Sequence, residues 1–118
     1  MEKVTIILQK PPYGKTNAAE AIRHALGGVS DGLDVQLILV NGGVLLAKKG
    51  QNDTGRGLTN LEEALKEDCL EMAVGVYADK LSLREQRLEL TDLVEGIKVA
   101  NGIEIAELIK ESKATIIF

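Results

Sequence analysis

Four short stretches of the chain are apolar almost without interruption: Val4–Leu8, Val35–Val40, Met72–Tyr77 and Thr115–Phe118. None shows clean alternation of apolar and polar residues. A strand that is wet on one face alternates; a strand buried on both faces does not. These runs therefore predict strands of a parallel sheet covered by helices on both sides. A fifth, weaker strand is expected at Ile97–Val99, just after Gly96.

Helical patterns lie between the runs. Ala18, Ile22, Ala25 and Leu26 line one face of a first helix, with Asn17, Glu20 and His24 opposite. Leu61, Ala64 and Leu65 line a second, with Glu62, Glu63, Lys66 and Glu67 turned outward. Ile105, Ala106, Leu108 and Ile109 form another, and Leu81, Leu83 and Leu88 suggest a shorter one. Thr59-x-x-Glu62 and Ser82-x-x-Glu85 read as capping boxes, in which the hydroxyl accepts a free backbone N–H and the Glu reaches back. Asn17-x-x-Glu20 and Asn101-x-x-Glu104 are the same device with Asn as the cap, and Gly27-Gly28 is expected to end the first helix. The order predicts an α/β, three-layer sandwich on a five-stranded, mainly parallel sheet with right-handed crossovers. The polar, glycine-rich stretch Ala47–Gly57 is the candidate functional loop.

A length of 118 residues suits one domain, residues 1–118, with its own core. That core must be aliphatic, since the chain has no Trp, one Phe and two Tyr. A net charge of −4 argues against a protein held to nucleic acid by phosphate contacts. Tyr13 and Tyr77 are too few for a base-stacking platform. A single cysteine, Cys69, excludes an intramolecular disulfide. No apolar run approaches the roughly 18 residues of a membrane helix, and the N-terminal apolar stretch is too short for a signal peptide. A soluble cytoplasmic protein without a membrane partner is expected.

In parallel α/β sheets, ligands bind outside the C-terminal ends of the strands. Here those ends are Gln9–Gly14, Asn41–Gly43, Tyr77–Lys80 and Ala100–Gly102. The first contains Gly14-Lys15-Thr16, the tail of a phosphate-binding loop. The full motif places another glycine five residues before Gly14, where this chain has Gln9. Pro11 and Pro12 remove two N–H donors from a loop that works by pointing N–H groups at phosphate. No Asp closes the second strand; Asn41 follows Val40. The NTPase reading fails. What survives is a helix start at Gly14–Asn17 that attracts a small anion, beside the plainer reading of a turn and cap.

Several segments in order resemble the DsrE/DsrF-like sulfur-relay family, particularly its DsrF-type (TusC-type) subunits. Pro12-Tyr13-Gly14 is similar to the family's proline–aromatic–glycine turn before an alanine-rich helix. VQLILVNGGVLLAKKGQ is similar to its second strand, small-residue turn, short helix and polar loop. SLREQRL, from Ser82 to Leu88, resembles the helix that follows its third long strand, and ELIKESKATIIF its closing helix and strand. The resemblance spans nearly the whole chain. It implies trimers or hexamers, or hetero-oligomers with related subunits. In some members it also implies a cysteine persulfide at the end of the strand before the SLRE-like helix. This chain has Tyr77-Ala78-Asp79-Lys80 there, with no cysteine.

Cys69 is a poor substitute. Glu67 and Asp68 precede it, it falls at a helix end, and it enters its strand from the opposite edge. A small, partly buried structural residue is the plainer reading. Asp79 would cap the following helix or bind a cation, and Lys80 would bind an anion or stand in solvent. His24 lies on a polar helix face, away from the expected pocket. One His and one Cys give no zinc-binding spacing, and there is no G-x-S-x-G elbow. Neither metal nor cofactor is expected.

Three functions remain. The first is a sulfur-relay-like subunit without its own acceptor, structural or docking in an oligomer. The second is a persulfide carrier through Cys69. The third is a small-anion or nucleotide-binding protein, with Tyr13, Gly14, Lys15, Asn41, Gly42, Tyr77, Asp79 and Lys80 lining a pocket. The run Val44-Leu45-Leu46 is expected to form a subunit contact closing a cyclic assembly, or else to pack inward as a short helix.

Overall fold

The computed structural model describes residues 2–50 and 60–118. Five strands form one sheet: β1 (Lys3–Leu8), β2 (Asp34–Leu39), β3 (Gly75–Asp79), β4 (Lys98–Ala100) and β5 (Ala114–Ile117). Their spatial order is β4-β3-β2-β1-β5, and every neighbouring pair is parallel. The sheet is thus wholly rather than mainly parallel. The third strand begins three residues later than its apolar run suggests. Met72 and Ala73 belong to a turn, where Ala73 adopts φ 64°, and the strand runs on through Asp79.

Among the described residues four α-helices accompany the strands: α1 (Asn17–Ser30), α2 (Leu61–Leu65), α3 (Lys80–Glu85) and α4 (Gly102–Glu111). A π-helical turn, Lys66–Leu70, prolongs α2. In β1 and β2 the apolar runs lack alternation because successive side chains enter two different cores, whereas β5, at the sheet edge, is exposed along its length and is not covered on both faces as its apolar run suggested. Ile6, Leu8, Leu37 and Leu39 pack with α1 and α2, alongside Ala21, Ile22 and Leu65. Ile7 and Ile38 point the other way, to Ile105 of α4. On that second side the hydroxyls of Thr5 and Ser112 hydrogen-bond each other, and Ser112 Oγ donates to the Leu108 carbonyl at 2.9 Å.

Several helix ends differ from expectation. Asn101 and Glu104 do form a reciprocal capping box on α4. On α1, however, Thr16 is the flanking residue and no side chain caps the helix, so Asn17 is its first residue and not its cap. Gly27 and Gly28 lie inside α1, which continues to Ser30; the left-handed residue beyond it is Gly32, φ 81°. Gly28 is small because α1 rests on β2: a Cβ there would stand 2.8 Å from Val35 Cγ2. Asn60 caps α2, accepting from Glu62 N at 3.1 Å and Glu63 N at 3.2 Å, whereas Thr59 lies outside the described residues. Glu62 does not face solvent as the helical pattern suggested. It is 9 % exposed and pairs with Lys66 one turn on, at 3.1 Å.

After β2 the chain turns into a 3₁₀ segment, Asn41–Ala47, that crosses the end of β1. Val44, Leu46 and Ala47 are fully buried there, so most of the run packs inward as a short helix, while Leu45 stays half-buried at the surface. Of the stretch 47–57, only 47–50 is described. Ala47 accepts from Val94 N at 2.8 Å and Lys49 N donates to Asp92 O at 2.9 Å, which pins that part to the chain before β4.

The crossing has no room for a side chain at Gly43. A Cβ there would overlap the Leu8 carbonyl oxygen and stand 2.8 Å from its carbon. Backbone cannot yield as a flexible side chain can, so Gly43→Ala is expected to cost about 1–3 kcal/mol. Gly27, with nothing within 4 Å of its would-be Cβ, should instead gain about 0.5–1 kcal/mol on becoming Ala in a helix interior. Urea unfolding of the two variants checks both signs.

Candidate functional site

The C-terminal ends of β2 and β3 are joined by one side-chain network. Asp79 closes β3 and is the N-cap of α3. Its Oδ2 accepts from Ser82 N at 3.1 Å and from the Ser82 hydroxyl at 2.5 Å. Ser82 Oγ in turn accepts the N–H of Asn41 at 2.8 Å. Asn41 takes the left-handed conformation, φ 51°, which Asn tolerates better than most residues. Ser82 is therefore not the cap of its helix. It is a bridge, 2 % exposed, between the turn after β2 and the cap after β3. The signal was present in the sequence as Asp79 three residues before Ser82, a spacing suited to an N-cap. A serine so buried offers a substrate no access and is not placed to act as a nucleophile.

The remaining sequence-picked residues do not converge. Tyr13 lines a depression of about 260 Å³ with Pro11, Pro12, Leu45 and Lys48, and its hydroxyl accepts Leu61 N at 3.3 Å. Gly42 packs against Pro11, which a Cβ would approach to 2.9 Å. Asp79 and Lys80 line a second depression, about 250 Å³, with Leu81, Arg84, Asn101 and Gly102. Tyr77 lies on the α4 side of the sheet, in a groove with Lys98, whose Nζ is 5.4 Å from its ring centre, a cation–π contact. Gly14 (φ 87°) and Lys15 are exposed at the entry to α1 and line none of these three depressions. Sequence reasoning missed Arg84 and Asn101, which complete the wall around Lys80.

Cys69 is fully buried in the larger core, in the π-helical turn before β3. It stands at the N-terminal end of that strand, away from Asp79. Burial, reinforced by the nearby Asp68 carboxylate, pushes its thiol up from the ordinary 9.0 to about 12. At neutral pH it is a thiol and not the thiolate that sulfur exchange requires. His24 is exposed, bonded through Nδ1 to the Glu20 carbonyl at 2.8 Å and stacked obliquely on Phe118. Among the described residues no three His, Cys, Asp or Glu side chains gather to hold a metal, and no helix is long and apolar enough to cross a membrane.

If the Asp79 carboxylate holds this edge together, Asp79→Ala should lose about 1–3 kcal/mol, combining a lost cap with an unpartnered Ser82 hydroxyl. Asp79→Asn keeps an acceptor and should lose less. Equal loss in chemical denaturation of the two variants would deny the carboxylate this role.

Comparison with known proteins agrees with the architecture. An uncharacterised protein of Methanocaldococcus jannaschii is 34 % identical over 98 % of this chain and 99 % of its own length. One from Methanopyrus kandleri is 32 % identical over 100 % and 95 %. The intracellular sulfur oxidation protein DsrF of Allochromatium vinosum is 26 % identical over 100 % and 97 %. Among solved structures, the ychN protein of E. coli superposes with a TM-score of 0.91 at 22 % identity over the whole of both chains. A protein of unknown function from Methanobacterium thermoautotrophicum gives 0.81 at 16 %, again over the whole of both. The model of the DsrE/DsrF-like family matches residues 2–118, and the chain belongs to that family.

Proposed function

We propose that this protein is a non-catalytic structural or docking subunit of an intracellular, cytoplasmic sulfur-transfer system, working as a single DsrE/F-like domain within an oligomer. The observation that carries the reading is the end of β3. There the chain has a carboxylate, Asp79, tied to Ser82 Oγ at 2.5 Å, in the place where the resemblance puts a sulfur-accepting cysteine. Carboxylate oxygens accept hydrogen bonds and hold no transferable sulfur. The one thiol of the chain is buried, protonated at neutral pH and at the wrong end of the strand, which counts against Cys69 as a carrier. The dispersal of Tyr13, Lys15, Tyr77 and Lys80 over separate surfaces counts against a single anion or nucleotide pocket. The link to sulfur rests on family membership and on the likeness to DsrF.

The experiment is intact-mass analysis of the reduced protein after incubation with a cysteine desulfurase and cysteine, beside Cys69→Ser. No gain of sulfur is expected, with the donor shown active on another acceptor. A gain of one sulfur that disappears in Cys69→Ser would overturn the reading in favour of a carrier.

A further inference from the structure

Two adjoining hollows open at the C-terminal edge of β3 and β4, and they differ in character. The larger, about 590 Å³, has an apolar floor of Leu83, Leu88, Leu90 and Val99. That size falls within the roughly 300–1,000 Å³ of small-molecule sites. The smaller, about 250 Å³, lies beside Asp79, Leu81 and Gly102. Lys80, Arg84 and Asn101 line both, so one rim of nitrogen donors serves the two spaces. Nothing stands within 4 Å of where a Gly102 Cβ would be, which leaves that wall open.

Lys80 and Arg84 stand one turn apart on α3, both exposed. Among the described residues neither forms an ion pair or a side-chain hydrogen bond. Three carboxylates line the hollows, and each is committed to backbone. Asp79 accepts from Ser82 N, Glu104 from Asn101 N and Glu89 from Asp92 N. They temper the charge of the rim without occupying its donors. Asn101 spends its Oδ1 on Glu104 N, which leaves its amide N–H groups unclaimed.

We propose that the two hollows form one site for a small amphiphilic anion, an alkyl or acyl chain bearing a phosphate or a carboxylate. The head takes the rim of Lys80, Arg84 and Asn101, where a guanidinium fork and an ammonium match anionic oxygens. The chain lies over Leu83, Leu88, Leu90 and Val99, where ligand and protein remove apolar surface from water together. A bare inorganic anion would leave the apolar floor wet, and a neutral chain would leave both cations unpaired. The place is also the one where parallel α/β sheets take ligands, outside the C-terminal ends of their strands. Tyr13 and Tyr77 line other depressions and take no part. The inference stands apart from the docking-subunit reading, since no step of it moves sulfur.

The test is calorimetric titration of the full chain with octyl phosphate and with octanoate, both kept below micelle formation. Inorganic phosphate and octyl glucoside present the head and the tail alone. Vesicles of anionic phospholipid form a separate arm, and circular dichroism follows folding. At least one amphiphile should bind roughly tenfold or more tighter than inorganic phosphate or octyl glucoside. Arg84→Gln and Lys80→Gln should each weaken that binding about tenfold, and the exposed Leu90→Ser about threefold. Lys80→Gln carries the head arm should Arg84→Gln not fold. Failure of both amphiphiles to bind, or binding unchanged in all three variants, would overturn the site. Octyl glucoside binding as tightly would overturn the role of the cations, and inorganic phosphate binding as tightly would overturn that of the apolar floor. Binding to vesicles with none to the free amphiphiles would overturn the small ligand in favour of a lipid surface. Sulfur uptake, read separately by mass, decides the docking-subunit reading by itself.

Discussion

The bridge that Ser82 makes between Asp79 and Asn41 is the contact on which the working edge of this fold depends. A parallel sheet leaves its strand ends as separate loops, and nothing in the ladder hydrogen bonds holds one loop to the next. Here one hydroxyl donates to the cap of α3 and accepts from the turn after β2, at 2.5 and 2.8 Å. Both neighbouring strands thereby end in one hydrogen-bonded unit centred on the buried Ser82. Close beside it the backbone of Gly43 lies against Leu8 with no room for a Cβ, which binds the end of β1 into the same assembly. The edge is built for rigidity.

That rigidity bears directly on chemistry. A parallel sheet offers its C-terminal edge as the place for a ligand or reactive group, and in this chain the end of β3 is occupied by a carboxylate already committed as a helix cap. The thiol that exists sits at the other end of the same strand, where burial holds it protonated. Reactivity would require both exposure and a stabilised anion, and the fold supplies neither. What the edge does present is exposed charge and apolar surface around Lys80, Leu81 and Arg84. Membership of the DsrE/DsrF-like family gives this surface its context.

Much of the fold was legible because burial on two sides leaves a plain mark. The four apolar runs and the weaker stretch Ile97–Val99 each overlap a strand, with β3 starting three residues late and β5 exposed despite its apolar run, and Asn101 caps α4 as its spacing indicated. What was illegible had tertiary causes. Gly27-Gly28 looks like a helix stop, yet Gly28 is there because α1 rests on Val35. Val44-Leu45-Leu46 looks like an exposed apolar loop, yet beside the close approach at Gly43 its Val44 and Leu46 enter the core. Glu62 looks solvent-facing by periodicity, but the ion pair with Lys66 accompanies it to near burial. The candidate site was half readable: Asp79 was identified from its place at a strand end, while the bridging role of Ser82 depends on Asn41, 41 residues away, which no local pattern reveals.

The central claim, that the chain's own thiol is structural and takes no part in sulfur transfer, is tested most directly by the alkylation rate of Cys69 in the native protein. The unfolded chain at the same pH is the reference. A thiol with no exposed surface reacts only when its surroundings open, so native alkylation should be slower by roughly 10³ or more, the factor set by the opening equilibrium. A native rate within about tenfold of the unfolded rate would contradict the account, placing Cys69 within reach of a sulfur donor.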